Sequence, residues 1–373
     1  DDDGAISGTS VTAQVDVTDV NDAPSFSAFV ATLATTNEDT EVEITFGDQA
    51  VQGNETDVDG TVDSFVVQAV SSGTLRIGAD ALSATAFAVG TNDEIGVGLN
   101  AYWTPANNQN GTLNAFTVEA KDNDGDLSGT PVTAQVTVTD VNDAPTFATF
   151  AAPIDTTNED TEVEITFADL AAQGNEADVD GTVDSFVVQA VSSGTLRIGA
   201  DAGSATVFTV GVNDVIGTGL NAYWTPANNQ NGTLNAFTVE AKDNDGDLSG
   251  TPVTAQVDVT DFNDAPTFTA FTATVDSTNE DTQVEITFAD LATQGNEADA
   301  DGTVDSFVVQ AVSSGTLRIG TDALSATAFA AGTNDEIGVG LNAYWTPANN
   351  QNGTLNAFTV EAKDNDGDLS GTP

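Results

Sequence analysis

Short acidic elements are the parts of this sequence whose residue types best suit chemistry. One set reads DVNDAP at Asp140–Pro145, NED at Asn158–Asp160, DVDG at Asp178–Gly181 and DNDG at Asp243–Gly246. Calcium takes about six to eight oxygen ligands from carboxylates, asparagine carbonyls and the backbone. An Asp-x-Asp pair in a turn can direct two carboxylates to one point, and glycine permits the tight backbone. The elements therefore indicate calcium binding.

The acidic elements belong to a long internal repeat. The string AYWTPANNQNGTLNAFTVEAKDN, of 23 residues, begins at Ala101, Ala222 and Ala343, an interval of 121 residues. An isolated DxDG is more often a solvated turn than a metal site, but four elements repeated in fixed order favour a site at each module junction. Further copies of the elements begin at or near Asp19, Glu38, Asp57, Asp122, Asp261, Glu280, Asp299 and Asp364.

Two other calcium motifs do not fit the sequence. Asp122–Asp126 resembles the start of an EF-hand loop, but that loop needs Gly at its sixth position and Glu at its twelfth. This chain has Leu127 and Thr133 there. A nonapeptide calcium β-roll is excluded as well, because the acidic clusters recur once per module.

The net charge is strongly negative. Six Lys and Arg against 59 Asp and Glu give −53. Such a surface repels nucleic acid and anionic lipid heads, and no apolar run approaches the ~18 residues of a membrane span. We therefore expect no nucleic-acid partner and no membrane insertion. The acids are expected to provide both a solvated surface and specific cation sites, and without cysteine no disulfide stabilises the fold.

Hydrophobic residues alternate with polar ones at a period of two, which predicts β-strands. The alternation is clearest at Glu41–Phe46, Ser64–Val70 and Val132–Val138, whereas no stretch shows a helical stripe. About seven short strands in about 115 residues, with turns between them, indicate an all-β chain of β-sandwich modules. Further strands are predicted near Thr74–Ile77, Ala84–Val89, Ala101–Thr104 and Asn114–Ala120.

The aromatic and basic residues have two interpretations. Trp103, with Tyr102 beside it, suggests carbohydrate stacking; alternatively, one of the pair faces the core and the other lies on the surface. We expect the core role for Trp103. Arg76 and Lys121 are the only cations of their module and are expected to pair with nearby carboxylates.

The composition disfavours an enzyme. The chain has no histidine and no cysteine, so the usual general base and thiol nucleophile are missing. Paired carboxylates can cleave glycosides, but calcium ligation accounts for the same acids with fewer assumptions. We therefore expect no catalysis.

The linker carries a specific resemblance. Asp140–Phe147, DVNDAPTF, resembles the DxNDxxPxF linker of cadherins and, more closely, the VNDAP linker of bacterial cadherin-like tandem repeats in very large surface adhesins. The strings YWTP and NGTLNAFTVEAKDNDG, the Glu of NED and the DVDG turn also match, so the resemblance covers essentially the whole chain. It implies seven-stranded Greek-key sandwiches with calcium ions at the junctions between consecutive modules.

The resemblance also implies module boundaries and ligands. The modules would span 23–143, 144–264 and 265–373, the last lacking its final strand, after the last strand and linker of a preceding repeat at 1–22. The junction around Asp140 would use Glu38, Asp140, Asn142, Asp143, Asp178, Asp180 and Asp243. The next junction would use Glu159, Asp261, Asn263, Asp264, Asp299, Asp301 and Asp364. The first would use Asp19, Asn21, Asp22, Asp57, Asp59 and Asp122, with its upstream glutamate outside this sequence.

One departure from the family pattern concerns the number of ions. Animal cadherins have an acidic Asp-Arg-Glu element before the penultimate strand, where this chain has the uncharged Ala106–Gln109. The departure implies fewer bound ions than at an animal junction.

The resemblance implies a function outside the cell. The expected function is that of a non-catalytic, calcium-rigidified extender in a large bacterial cell-surface or secreted adhesin, where it projects a distal binding domain. The expected partners are calcium ions and neighbouring repeats of the same or identical chains. An alternative is a subunit of a self-assembling extracellular filament, in which Val11–Thr18 is donated into the open last module by strand addition. Truncation of a longer array would explain the same register.

Overall fold

The computed structural model describes residues 2–6 and 8–371, and its regular structure is almost entirely β. In the first repeat the elements are β1 (Ala34–Asn37), β2 (Val42–Ile44), α1 (Phe46–Gln52), β3 (Val62–Val70), β4 (Thr74–Gly78), β5 (Thr85–Ala86), β6 (Glu94–Gly96), β7 (Asn100–Thr104), β8 (Gly111–Asp122) and β9 (Val132–Thr139).

The same order of elements returns twice. The second repeat has β10 (Asp155–Asn158), β11 (Val163–Ile165), α2 (Phe167–Gln173), β12 (Val183–Val191), β13 (Thr195–Gly199), β14 (Thr206–Val207), β15 (Val215–Gly217), β16 (Asn221–Thr225), β17 (Gly232–Asp243) and β18 (Val253–Thr260). The third has β19 (Val284–Ile286), α3 (Phe288–Gln294), β20 (Val304–Val312), β21 (Thr316–Gly320), β22 (Thr327–Ala328), β23 (Glu336–Gly338), β24 (Asn342–Thr346) and β25 (Phe358–Asp364). None of the helices in the described residues is long and apolar enough to span a membrane.

Each complete repeat forms two sheets. In the first repeat their strand orders are β1-β9-β8-β3-β6 and β2-β7-β4-β5, so most neighbours in a sheet are not consecutive in the chain. The pairings are antiparallel except that β1 runs parallel to β9. The second repeat has the same two sheets, and the chain is therefore a tandem array of β-sandwich modules, as the alternation of residues predicts.

The core of each module lies between its sheets. Phe65, Phe116 and Trp103 are fully buried in the first module, and the indole N–H of Trp103 donates to the carbonyl of Ser72 at 2.8 Å. The predicted core role of Trp103 is confirmed. Its burial, with that of Trp224, leaves no ring face for carbohydrate stacking.

The prediction that the neighbouring tyrosine lies on the surface is wrong. Tyr102 is only 5 % exposed, and its hydroxyl donates to Glu43 Oε1 at 2.9 Å. The ring lies on the outer face of β7, in register with Glu43 on β2 and Arg76 on β4. Because these long side chains stand on both adjacent strands, they cover the ring.

A short helix replaces the end of a predicted strand. The predicted strand Glu41–Phe46 ends at Ile44, and α1 begins at Phe46. Thr45 caps the helix by accepting from the N–H of Asp48, whose carboxylate accepts from the N–H of Thr45. A helix of 7 residues is too short to show a hydrophobic stripe, which explains why periodicity missed it.

The basic residues pair locally, as predicted, wherever the repeat supplies an acid. Arg76 lies 2.7 Å from Glu41, and Lys121 lies 3.0 Å from Glu94. The third repeat has Gln283 in place of the first acid, and there Arg318 donates to a backbone carbonyl. The remaining ion pairs in the described residues are Arg197–Glu162 and Lys363–Glu336.

The described residues divide into two compact units. One runs up to Ala144 and includes Asp178–Thr182; the other comprises Pro145–Ala177 and the residues from Val183 onward. The acidic DVDG turn thus groups with the linker that precedes it in the chain. The module boundaries 23–143, 144–264 and 265–373 stay a prediction.

Candidate cation sites at the linkers

Parallel pairing places a glutamate beside the linker in the first unit. Strand β1 ends at Asn37, which is in register with Thr139 at the end of β9. Glu38 and Asp140 follow these two positions, and parallel strands end at the same edge of a sheet. The N–H of Glu38 donates to the carbonyl of Thr139 at 3.0 Å, which fixes the start of the loop. The sheet therefore brings the NED element to the linker.

The Glu38 carboxylate is buried, and its two oxygens differ in their hydrogen bonds. Glu38 is 6 % exposed, and its Oε1 accepts from the N–H of Val141 at 2.6 Å, whereas the buried Oε2 has no hydrogen-bond partner among the described residues. Glu38, Asp143 and Asp180 each offer a carboxylate oxygen within 4.8 Å of the other two. Buried, unpartnered anionic oxygen is costly, so this arrangement fits a cation.

The DVDG turn supplies the next carboxylates. Asp178 Oδ1 accepts from the N–H of Asp180 at 3.3 Å and from the N–H of Gly181 at 3.0 Å. The buried Oδ2 of Asp178 has no hydrogen-bond partner in the part of the chain that the structure describes. Asp180 Oδ2 accepts from the N–H of Asp143 at 3.0 Å. That hydrogen bond lowers the pKa of Asp180, but desolvation and the Asp178 carboxylate prevail, and the pKa is raised.

The second unit repeats the arrangement with a different linker aspartate. Glu159 is 5 % exposed; its Oε1 accepts from the N–H of Phe262 at 2.7 Å, and its buried Oε2 has no hydrogen-bond partner within residues 2–6 and 8–371. The three oxygens within 4.8 Å of one another come from Glu159, Asp261 and Asp301. Asp261 corresponds to Asp140, not to Asp143, so the two linkers orient their aspartates differently.

The surroundings of Glu159 oppose its ionisation. The hydrogen bond from Phe262 lowers the pKa of Glu159, but desolvation and the carboxylates of Asp261, Asp264 and Asp301 prevail and raise it. Desolvation, followed by the Asp301 carboxylate, likewise raises the pKa of Asp299. The Oδ2 atom of Asp299 is buried and has no hydrogen-bond partner among the residues that the structure describes. A bound divalent cation would reverse these effects, because it favours the charged carboxylates.

The DNDG loop holds a carboxylate in its ionised form. Asp364 is 1 % exposed, and its Oδ1 accepts from the N–H groups of Asp366, Gly367 and Asp368. Burial raises the pKa of Asp364, but the amide of Asn263 and these N–H groups outweigh it, so the pKa is lowered. The loop thus preforms an anionic ligand.

The linker asparagine joins this loop to a further acid. Asn263 Nδ2 donates to Asp364 Oδ2 at 3.1 Å and to Asp368 Oδ2 at 2.9 Å. In the first unit Asn21 makes the same contacts with Asp122 and Asp126. Asp126 and Asp368 are absent from the predicted ligands, although the final Asp of DNDGD is a visible signal for them.

The linker that contains Asp19 and Asp22 makes only some of the contacts seen at the other two linkers. The N–H of Asp22 donates to both carboxylate oxygens of Asp59, at 3.3 and 3.1 Å. The N–H of Asp59 donates to Asp57 Oδ1 at 3.3 Å, as in the other DVDG-type turns. Within the described residues this linker, with Asp19, gives no cluster of three carboxylates.

The uncharged loop before the penultimate strand also reaches the linker. Asn108 Nδ2 donates to Asp143 Oδ2, and Asn110 Nδ2 donates to Asp140 Oδ1 at 2.5 Å. The second unit repeats these contacts with Asn229 on Asp264 and Asn231 on Asp261. These amides are functional candidates that the sequence analysis missed.

Some of the predicted ligands are brought together by the structure, whereas the role of others stays a prediction. Each of two clusters, one in each unit, brings together the NED glutamate, one linker aspartate and the second aspartate of the DVDG-type turn. Asp243, which lies in the second unit, has the same turn as Asp364 and accepts from the N–H groups of Asp245, Gly246 and Asp247. The predicted role of Asn142 and Asp243 at one junction stays a prediction.

The donor chemistry indicates the class of cation. Every candidate ligand is a carboxylate or amide oxygen, which suits hard cations rather than zinc or copper. An irregular set of oxygens fits Ca²⁺ better than Mg²⁺, which demands near-octahedral geometry and keeps its water. Within the described residues, the two clusters fit calcium.

Comparison with known proteins gives fold similarities only. No protein-family model and no curated protein matches the sequence. Similar solved structures include mouse cadherin-23 EC22–24, at 16 % identity over 92 % of this chain and 94 % of that one, with a TM-score of 0.45. Protocadherin gamma B2 domains 1–5 share 18 % identity over 93 % and 58 % of the two chains, with a TM-score of 0.43. The fibronectin(III)-like modules of Clostridium thermocellum CbhA share 16 % over 64 % and 94 %, with a TM-score of 0.19.

These values define neither a family nor a function for the chain. The class follows from its own topology: a tandem array of β-sandwich modules with acidic linkers.

Proposed function

We propose that this chain is a non-catalytic, calcium-rigidified extender of a large extracellular protein. The observation that carries the proposal is the buried, unpartnered Oε2 of Glu38 and of Glu159, each beside carboxylates of a linker and of the following DVDG turn. A cation at this point would take ligands from one module, from the linker and from the start of the next module. It would thereby fix the linker.

Charge repulsion supplies the second half of the mechanism. Two like charges about 4 Å apart repel by ~1 kcal/mol in water and by ~4 kcal/mol at an effective dielectric constant of about 20. Without a cation, the acids of each linker therefore favour separation of the groups that the cation would join. With it, the same acids become ligands, and the linker changes from a flexible to a stiff connection.

The expected calcium affinity determines the compartment in which such a calcium-dependent linker functions. Extracellular calcium modules bind with Kd values of about 10⁻⁴–10⁻³ M, which suits extracellular but not cytosolic calcium levels. The VNDAP resemblance supports the finer proposal, in which the chain spaces a distal binding domain away from a bacterial surface. Its partners are then calcium ions and adjacent repeats.

Calcium titration of the 373-residue protein tests the proposal. We expect calorimetry to detect calcium binding, and small-angle scattering to show a longer, less variable particle with calcium than with EGTA. Magnesium at the same concentration serves as the control for general screening of the −53 charge. Equal scattering profiles in calcium and in EGTA, or no heat of calcium binding, would contradict the proposal.

A further inference from the structure

The helix of the first repeat differs from its two counterparts in sequence but not in backbone arrangement. Helix α1 reads FGDQAVQ, whereas α2 reads FADLAAQ and α3 reads FADLATQ. All three span 7 residues, begin with the same capping box, and end with a hydrogen bond from the N–H of the glycine that follows. The differences at Gly47, Gln49 and Val51 therefore compare side chains on one common backbone.

Gln49 places an amide in the core where the other two helices place a leucine. Gln49, Leu170 and Leu291 are all 0 % exposed. Neither Nε2 nor Oε1 of Gln49 has a hydrogen-bond partner among the described residues. Burial without partners costs the desolvation of both polar atoms, which reduces the equilibrium constant for closing of the helix by roughly 10-fold or more.

Gly47 and Val51 weaken the same helix further. Both other helices have alanine at the position of Gly47, and a Cβ there would meet only Thr45 Oγ1, at 3.6 Å, which is an ordinary contact. Glycine in place of alanine reduces the equilibrium constant of a helix by roughly 2- to 5-fold. Val51 is 76 % exposed and replaces Ala172, so its β-branched side chain lowers helix propensity without gaining burial.

The residues that follow α1 hold the segment 25–30, which we call the strap. Phe29 pairs with Gly53 in an isolated bridge, and the N–H of Val30 donates to the carbonyl of Gln52 at 2.8 Å. These contacts lie outside the two sheets of the first repeat. Because the strap pairs with the end of α1 and the residues immediately after it, unwinding of the helix loosens the strap while the sheets keep their own pairing.

We propose that α1 and the strap open together as a local unfolding unit of the first module, while its sheets stay folded and the corresponding unit of the second module stays closed. Local opening starts in the least stable parts of a fold. The strap lies between the linker at Asp19–Asp22 and strand β1, so its release lengthens that connection without unfolding a sheet. The inference goes beyond the proposed function, because it gives the first module an element that yields under tension, and it involves no bound cation.

Hydrogen exchange of the 373-residue protein, followed by mass spectrometry in EGTA, tests the local opening. The sequences of α1 and α2 differ, so their peptides are distinguished by mass. Relative to an unfolded chain, we expect the amides of residues 49–56 to be protected at least about 10-fold less than those of 170–177. Strand β9, whose sequence VTAQVTVT occurs once, is the control for the sheets of the first module and should stay protected.

Exchanging side chains between the two helices provides the second arm. Gly47→Ala combined with Gln49→Leu gives α1 the pattern of α2, and it should raise the protection of residues 49–56 to that of 170–177. Leu170→Gln should transfer the loss of protection to the second module. Equal protection of the two segments in the native chain, or no gain in the double variant, would overturn the inference, as would an unchanged second segment in Leu170→Gln.

Stretching single molecules between their two ends tests the lengthening. The native chain should show a small extension at a lower force than the unfolding of a whole module, and the variant with Gly47→Ala and Gln49→Leu should lack it. Absence of this early step in the native chain would refute release of the strap under tension. Because the measurement is made in EGTA, its result is separate from calcium binding, which tests the proposed extender function.

Discussion

The N–H of Phe262 donates to Glu159 Oε1 at 2.7 Å, a contact between residues 103 positions apart in the chain. This hydrogen bond holds one oxygen of a buried carboxylate, whose other oxygen has no hydrogen-bond partner among the described residues. Glu159 offers a carboxylate oxygen within 4.8 Å of oxygens of Asp261 and Asp301. Val141 and Glu38 make the same contact in the first unit. Each of these two linkers therefore orients its own glutamate before any cation arrives, which reduces the ordering required on binding.

Removing the charge of this glutamate should weaken one calcium site. Glu159→Gln keeps the shape of the side chain but removes a carboxylate ligand, so we expect the calcium affinity of that site to fall by about 10-fold or more. Calorimetric titration measures the change. The matched control is Glu280→Gln, because Glu280 occupies the corresponding position in the third repeat but is exposed. Equal losses in the two variants would show that net charge, not the cluster, determines binding.

Without divalent cations, the stability of the protein should increase as the pH falls from neutrality towards about 4.5. The pKa of Glu159 is raised above its usual 4.5 and that of Asp299 above 3.8. A carboxyl group with a raised pKa binds its proton more tightly in the folded chain, so its stabilising contribution is present below the unfolded pKa and is lost as the pH rises through the folded pKa. Melting temperatures in calcium-free buffer measure this trend.

Calcium should reverse that pH dependence. Protons compete with the cation for the same oxygens, so acidification in excess calcium should lower the melting temperature. Glu159→Gln should flatten the calcium-free trend, which separates the cluster from the general relief of charge repulsion. The window stays above pH 4.5 because the pKa values of Asp122 and Asp364 are lowered, and their contribution is lost only at lower pH. A calcium-free trend unchanged by Glu159→Gln would contradict the assignment.

Patterns among neighbouring residues predicted the strands and the acidic elements, but not the short helix. Alternation identified β3, whose Phe65 and Val67 are fully buried. The repeated acidic elements indicated cation sites, and the resemblance to cadherin-like linkers implied which of their residues meet; Glu38, Asp143 and Asp180 do lie in one cluster. The helix α1 was missed because one capping box and 7 residues leave little periodic signal.

The asparagine contacts could not be predicted because they depend on strand register. Gly111 pairs with Val138, which places Asn110 beside the linker that follows β9. That pairing joins residues from two strands and involves register shifts near Asn114, which no local pattern shows. The uncharged loop was therefore interpreted only as a missing acidic element.

A natural substitution in the third repeat predicts a stabilising mutation. Arg197 pairs with Glu162 at 2.7 Å in the second repeat, whereas the third repeat has Gln283 at the position that corresponds to Glu162. Gln283→Glu should restore the bidentate pair and increase the free energy of unfolding by about 0.5 kcal/mol, the usual scale for a partly exposed pair. Denaturant unfolding of the third repeat checks this, with Glu162→Gln as the reciprocal change. A gain that persists in molar salt would not be electrostatic.

Asn108→Asp should make the melting temperature of the protein depend more strongly on calcium. Asn108 now donates to Asp143 and adopts a φ of +55°, a conformation that Asp also tolerates. The carboxylate would lose this hydrogen bond and add a charge beside Asp143, so the calcium-free protein should melt at a lower temperature. With calcium the new carboxylate becomes available as a ligand, and the calcium-induced increase in melting temperature should be larger than in the native chain.

The third repeat provides the control for this change. Asn350 has the same backbone conformation, and its N–H donates to Asp281 Oδ1 at 2.9 Å, as the N–H of Asn108 donates to Asp39 Oδ1 at 3.2 Å. The described residues, however, place no linker aspartate beside Asn350. Asn350→Asp should therefore leave the calcium response unchanged. If both variants changed the calcium response equally, the effect would come from the loop that contains these asparagines, and not from the contact between Asn108 and the linker.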